Sequence, residues 1–270
     1  MSAGLDRLQV RRAFSRAAPG YESHAVLQRE IGERLAERLD QFPEFAPARI
    51  LDAGSGPGCT SAALRARYPQ ADFVALDIAL PMLAAARGPL GADAGLVAAD
   101  VEALPFAEGS FDLVHSNLCL HWCEDPGLAL AEFRRVLAAG GLLLFSTFGP
   151  DTLKELREAF AAVDDAPHVS RFVDMHDIGD ALLASGFKQP VMSREDFTLT
   201  YPDAAALMRD LRGLGATHAD AGRRRSLTGR RRFAAAIASY ESWRREGALP
   251  ASFEAIYAQA EAPAWRLRKR

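Results

Sequence analysis

Apolar residues along this chain follow two rhythms. Between residues 6 and 40 they recur every three or four positions, with Leu27, Ile31, Leu35 and Leu39 on one face, which predicts two amphipathic helices. Pro43 and Pro47 end that region. From Arg49 short apolar runs alternate with stretches of helical period: strands are expected over 49–53, 72–77, 95–99, 111–116 and 141–147, and helices over 58–68, 80–87 and 126–138. Helices over 151–163 and 175–184 follow, the second ending at Gly186. The period-two segments Phe187–Val191 and Asp196–Leu199 are expected to close the sheet as an antiparallel pair. From Tyr201 the pattern reads as helical and rich in arginine. Alternating strand and helix implies an α/β fold, a parallel sheet with helices on both faces. Three segments are expected: a helical N-terminal lid over 1–45, a core domain over 46–200, and a basic helical C-terminal lid over 201–270.

Composition changes this picture little. With 270 residues, 49% hydrophobic and 25% charged, the chain supports one sizeable core with additions. The apolar run Leu142–Phe148 is far short of the ~20 residues that span a bilayer, and no charged and apolar pair of a signal peptide opens the chain. Arg11-Arg12 precedes no apolar stretch, so a twin-arginine signal is not expected. Cys59, Cys119 and Cys123 fit a reducing cytoplasm better than a disulfide scaffold.

Charge is more informative. Residues 40–110 carry nine acids and four arginines, net −5, whereas residues 207–270 carry fourteen basic residues and six acids, net +8. The C-terminal region therefore wants an anionic partner: nucleic acid, an anionic membrane or an acidic protein. No aromatics interleave Arg223 to Arg232, which disfavours a stacking platform for single-stranded nucleic acid.

The chemistry concentrates at strand ends. Ile50-Leu51-Asp52-Ala53-Gly54-Ser55-Gly56-Pro57-Gly58 is an apolar run that stops at an acid and opens into alternating glycines. Such a turn brings bare backbone against a small ligand, because glycine lacks a Cβ and accepts positive φ. A second run, Phe73-Val74-Ala75-Leu76-Asp77, places a carboxylate where a βαβ unit meets ribose hydroxyls. A dinucleotide fingerprint needs G-x-G-x-x-G; here the third glycine is displaced and Pro57 intervenes, which argues against NAD. Asp100 and Val101 close the third strand, an acid to accept from an adenine amino group and an apolar neighbour to pack its ring. After the fourth strand comes Ser116-Asn117-Leu118-Cys119-Leu120-His121-Trp122-Cys123. Cys119, His121 and Cys123 would share a face on a strand, but a closed zinc site needs a fourth ligand and no partner pair is present, so no metal is expected. His121 is better placed as a hydrogen-bonding group and Trp122 as pocket wall.

The glycine turn resembles motif I of the class I S-adenosylmethionine-dependent methyltransferases, as do Asp100-Val101-Glu102-Ala103-Leu104-Pro105-Phe106 followed by Ser110-Phe111-Asp112, and Ala131–Leu137 leading to Gly140-Gly141. That resemblance implies a Rossmann-like seven-stranded sheet and S-adenosylmethionine held by Asp52, Gly54, Gly56, Gly58, Asp77, Ile78, Met82, Asp100, Val101, Asn117 and Trp122. Three further stretches sharpen it: Ala13–Gln28, Pro167-His168-Val169-Ser170-Arg171-Phe172, and Leu211-Arg212-Gly213-Leu214-Gly215-Ala216-Thr217-His218. These are similar to segments of the malonyl-acyl-carrier-protein O-methyltransferases of biotin synthesis, the BioC family. The similarity implies methyl transfer to the free carboxylate of malonyl-acyl carrier protein. Tyr21, His121, Arg171, Arg212 and His218 would orient that carboxylate, and Arg209, Arg223, Arg224, Arg225 and Arg230 to Arg232 would form a docking surface for the acidic carrier.

Three rivals fit parts of the chain. A methyltransferase-fold arginine hydroxylase that assembles respiratory complex I is similar in core and tail, but Gly215-Ala216-Thr217-His218 favours the carrier-protein family. A noncatalytic RNA-binding or chaperone protein would use only the basic end. A methyltransferase of quinones or other small molecules would have little use for that end.

Overall fold

The computed structural model describes residues 5–163, 168–217 and 229–264. At the N-terminus, α1 (Arg7–Ala17), the short α2 (Tyr21–His24) and α3 (Val26–Glu37) precede the sheet. Asp6 caps α1 by accepting from the Gln9 amide. On α3, Leu27, Ile31 and Leu35, with Leu39 just beyond it, are buried, as the four-residue spacing predicts.

The alternation then runs β1 (Arg49–Ala53), α4 (Cys59–Arg67), β2 (Asp72–Asp77), α5 (Leu80–Leu90), β3 (Gly95–Ala98), β4 (Phe111–Asn117), α6 (Pro126–Val136), β5 (Leu137–Phe148), α7 (Lys154–Ala161), α8 (Met175–Ala184), β6 (Lys188–Tyr201), α9 (Ala204–Gly213), α10 (Arg230–Glu241) and β7 (Leu249–Glu261). The seven strands lie in the order β3-β2-β1-β4-β5-β7-β6. Strands β1 to β5 are mutually parallel, and β7 runs antiparallel to both β5 and β6. Among the described residues no helix is long and apolar enough to cross a membrane.

Two expectations fail at the C-terminal side. The segments around 187–191 and 196–199 are not two paired strands but one, β6, with an irregularity after Lys188 where Gln189 takes a positive φ. Nor is everything beyond Tyr201 helical: β7 inserts between β5 and β6. Its sequence, LPASFEAIYAQAE, is rich in alanine and reads as a helix. Burial from Phe253 to Ala260 and hydrogen-bonded neighbours on both edges outweigh that preference, because small side chains suit a strand sandwiched on both faces. Residues 249–261 thus belong to the sheet rather than to a lid. Strand β5 also begins earlier than expected, directly after α6, with Gly140 at positive φ where the ladder shifts register.

The chain order reverses between β1 and β4. In open α/β sheets ligands sit beyond the strand carboxyl ends at such a switch point; Asp77 and Asn117 end β2 and β4 on this side, and the glycine turn and Asp100 follow the ends of β1 and β3.

Candidate functional site

The glycine turn is held from below by buried polar groups. Asp52, 1% exposed, accepts a hydrogen bond from Ser61 Oγ and lies 2.8 Å from His115 Nδ1. Gly54 and Ser55 both donate to the Leu76 carbonyl, which clamps the turn to β2. Gly54, Gly56 and Gly58 all have positive φ. A Cβ on Gly54 would run into Cys119, whereas on Gly56 it would meet nothing, so the inner edge of the turn is open at Gly56. Asp77 accepts from the Gly56 amide at 3.0 Å and the Ala79 amide at 2.8 Å. Two carboxylate oxygens retain lone pairs for further donors. Dehydration pushes the Asp77 carboxyl up to about 6 despite those two amides.

Around this turn lies a cavity lined by Tyr21, Gln28, Gly54, Gly56, Asp77, Ile78, Met82, Asp100, Val101, Asn117, His121 and Trp122. Sequence reasoning singled out these but for Gln28; it did not single out Arg7, Val10, Phe14, Leu118, Phe148, Leu214 or Ala216, which also line the cavity. Two expected cofactor contacts fall elsewhere. Asp52 is buried beneath the turn with its carboxylate engaged, and Gly58 faces α5, where a Cβ would sit 3.2 Å from Ala86. Both shape the turn without lining the cavity. Asn117 does line it, donating one amide hydrogen to the Gln28 main-chain carbonyl (2.9 Å) and accepting from Ser146 Oγ (2.6 Å).

The N-terminal helices roof this cavity. Phe14 meets Trp122 edge to face at 5.1 Å, and Tyr21 and Phe14 pack on Met82. Arg7 reaches down to three carboxylates, Asp100 at 3.0 Å, Glu102 at 3.1 Å and Glu124 at 3.3 Å. Sequence reasoning did not single out Arg7 or Phe14 as site residues; Arg7 has only the amphipathic pattern of α1 as a signal, while Phe14 lies in the family-like stretch Ala13–Gln28.

A second cavity of about 320 Å³ adjoins the first and is mostly apolar, walled by Leu153, Leu156, Phe160, Phe172, Met208 and Phe253. Gln28, His121, Trp122, Phe148, Leu214 and Ala216 line both cavities and so mark their junction. There His121 packs against Trp122, Phe148 and Phe172, with centroids 4.9–5.7 Å away. Burial pushes its imidazole down to about 3, so it is neutral at physiological pH. Tyr21 is pushed well above the ordinary phenol range by burial and then by Asp77, so it remains a protonated donor.

The expected carboxylate-orienting residues divide. His121 stands at the junction, and Tyr21 lines the first cavity only; Arg212, exposed, lines the apolar cavity and has no ion pair or side-chain hydrogen bond among the described residues. Arg171 lines neither of these two cavities. It is exposed on a third one beside Asp125, Asp177 and Ile178, with Phe172 forming the partition. His218 lies outside the described residues, as do Arg223, Arg224 and Arg225; Arg209, Arg231 and Arg232 are exposed. Cys119 and Cys123 flank a single 3-10 turn (Leu120–Trp122), not a strand, so the alternation with His121 does not align three ligands.

The segments flanking the core are tied together on the side of α9. His24 Nδ1 lies 2.8 Å from Asp210, which also accepts from Tyr201 Oη at 2.7 Å. A Cβ on Gly213 would collide with the His24 ring, so this glycine permits the close packing of α2 on α9.

A family model described as "Methyltransferase domain" matches residues 51–145. Among solved structures, the YcgJ protein of Bacillus subtilis superposes with a TM-score of 0.61 at 18% identity, covering 86% of this chain and 99% of that one. The [4+2]-cyclase SpnF does so with 0.56 at 21%, covering 87% and 82%. Likeness at these identities establishes the fold alone, and a cyclase among the neighbours shows how little the fold fixes the chemistry. Closer in sequence are proteins named malonyl-[acyl-carrier protein] O-methyltransferase. That of Laribacter hongkongensis is 50% identical over 98% of this chain and 92% of its own, and that of Gallionella capsiferriformans 47% over 98% and 94%. That of Legionella pneumophila is 41% identical over 93% and 89%. Near-complete coverage at such identity, on a methyltransferase fold with a nucleotide-type cavity opening into an apolar one, establishes that this chain belongs to the malonyl-[acyl-carrier protein] O-methyltransferase family.

Proposed function

We propose that this chain transfers a methyl group from S-adenosylmethionine to the free carboxylate of a malonyl thioester carried on acyl carrier protein. The observation that carries the reading is the junction: a cavity of strand-end acids and glycine backbone meets an apolar one at a neutral imidazole, an amide and an indole.

The chain's own residues fit the donor. Asp77 has acceptor capacity to spare for ribose hydroxyls, Asp100 and Val101 line the same cavity and would meet an adenine edge and face, and the open side of Gly56 admits close approach. When bound, S-adenosylmethionine supplies an electrophilic methyl carbon on a cationic sulfur. The acceptor is a malonyl carboxylate, ionised at neutral pH and already a nucleophile, so no side chain has to remove a proton. Alignment is then the main task, and holding the reacting atoms ~3 Å apart in line contributes several kcal/mol. Two opposite charges vanish as the ester forms, so a strong cationic clamp at the junction would favour the ground state over the transition state. Neutral His121 at the junction and neutral Tyr21 in the first cavity, with Arg212 set away along the apolar cavity, match that requirement. Arg212 draws in the anionic acyl group and the neutral groups orient it.

The apolar cavity takes the pantetheine-linked arm. Residues 1–45 and the helical parts of 201–248 act as lids, while β7 completes the core. Exposed Arg209, Arg231 and Arg232 offer the acidic carrier a basic docking face in a cytoplasmic enzyme; the expected contributions of Arg223, Arg224 and Arg225 lie outside the described residues. Neither the complex I hydroxylase nor the quinone-type reading gains an observation in its favour.

The test is release of S-adenosylhomocysteine by the purified chain. It should require malonyl-carrier protein and vanish with acetyl-carrier protein; equal turnover with both, or turnover without carrier, overturns the proposal.

A further inference from the structure

Resting on that reading, we infer that Gln28 is the residue that aligns the methyl-accepting carboxylate, through its side-chain amide at the junction of the two cavities. Gln28 lines both cavities. Its Oε1 is buried without a partner, and its amide nitrogen makes no hydrogen bond among the described residues. Native interiors rarely leave a buried amide oxygen unspent, so an idle one on a residue facing a cavity points to a ligand that completes it.

The backbone that carries that amide is fixed. The Gln28 carbonyl accepts from Asn117 Nδ2 at 2.9 Å, and Asn117 Oδ1 in turn accepts from Ser146 Oγ at 2.6 Å, which anchors this turn of α3 to β4 and β5. Flanking Leu27 and Ile31 are 4% and 0% exposed, so the helix cannot roll to move the side chain away. Rotation about the terminal bond exchanges the amide's oxygen and nitrogen, so a carboxylate arriving at the junction meets the NH2 donors.

Among the described residues three polar side chains span both cavities: Gln28, His121 and Trp122. His121 is hemmed in by three aromatic rings, with Thr147 Oγ1 3.5 Å from its Nδ1. Trp122 is turned edge-on to Phe14. Gln28 alone of the three offers two donors on a flexible stem. Its neutrality suits the charge-annihilating step: it holds an anion in place without setting a cation beside the methyl donor. Arg212 governs capture, and Gln28 adds a donor to the neutral groups that govern alignment.

Gln28→Leu and the near-isosteric Gln28→Glu separate this role from packing. Each variant is assayed for turnover of malonyl-carrier protein, for S-adenosylhomocysteine affinity and for inhibition by acetyl-carrier protein, which shares everything but the carboxylate. The inference predicts that Gln28→Leu lowers kcat/KM about 10- to 100-fold, the range for losing a hydrogen bond to a charged group. Gln28→Glu should be at least as poor, and both should keep S-adenosylhomocysteine affinity and acetyl-carrier inhibition within about twofold of the parent chain. Near-parental kcat/KM in Gln28→Leu, or an equal loss of all three properties in Gln28→Glu, overturns it. A parent chain that fails to methylate malonyl-carrier protein overturns the proposed function instead; a parent that succeeds with unaffected variants overturns only the role of Gln28.

Discussion

The two cavities that meet at His121 are built by opposite means. The one around Asp77 is a backbone site: three glycines at positive φ, two amides donating to one carboxylate, and polar supports buried beneath at Asp52, Ser61 and His115. The one walled by Leu156, Phe160, Phe172 and Phe253 is a side-chain site, assembled from a helix, a loop and a strand far apart in the chain. A backbone site tolerates little change in the residues that shape it and serves many substrates. A side-chain site is adjustable and sets which acceptor is used.

The largest effect should come from breaking the backbone site. Gly54→Ala forces a left-handed conformation on a residue with a Cβ and drives that carbon into Cys119. S-adenosylhomocysteine affinity is expected to fall by about 100-fold or more in titration calorimetry, since ~2.8 kcal/mol suffices. Retained affinity would mean that the turn yields more freely than its clamps to Leu76 imply.

Acidification breaks the same site more gently. With the Asp77 carboxyl titrating near 6, a shift from pH 7 to pH 5 protonates it and should weaken S-adenosylhomocysteine binding about tenfold. Asp77→Asn should bind weakly and lose this dependence. Unfolding does not mimic the effect. The folded carboxyl (about 6) holds its proton to higher pH than the reference 3.8, so Asp77's contribution to stability decreases as pH rises through that window. Affinity and this part of the stability therefore move in opposite directions.

Breaking the side-chain site should leave the cofactor untouched. Phe172→Ala removes the ring that packs on His121 and Phe148, and is expected to raise KM for malonyl-carrier protein roughly fivefold to tenfold with S-adenosylhomocysteine affinity unchanged. The smallest effect is reserved for the surface: Arg231→Glu with Arg232→Glu should slow carrier association about threefold at low salt and much less at high salt, as stopped-flow kinetics would reveal.

The same contrast decides what was legible in the sequence. The glycine turn, Asp77 and Asp100 announce themselves because strand ends and positive φ demand particular residue types at fixed spacing. The first five strands follow from apolar runs of the right length. The alanines of β7 conceal a strand, because its neighbours rather than its propensity make it one. Arg171 reads like Arg212 in sequence, yet Phe172 divides them into different cavities. Gln28 and Arg7 have ordinary helical surroundings; only the meeting of α1 and α3 with the strand ends gives them their places. Asp52 carries the motif's most visible acid and serves as its foundation rather than its contact.

The central claim is that the acceptor is the free malonyl carboxylate. Tandem mass spectrometry of the acyl-pantetheine fragment released from carrier protein, after incubation with the chain and S-adenosylmethionine, tests it most directly. The account predicts one added methyl group, located on the distal carboxyl as an ester. A methyl group on the carrier polypeptide, or an unmodified malonyl fragment alongside consumed S-adenosylmethionine, would contradict it.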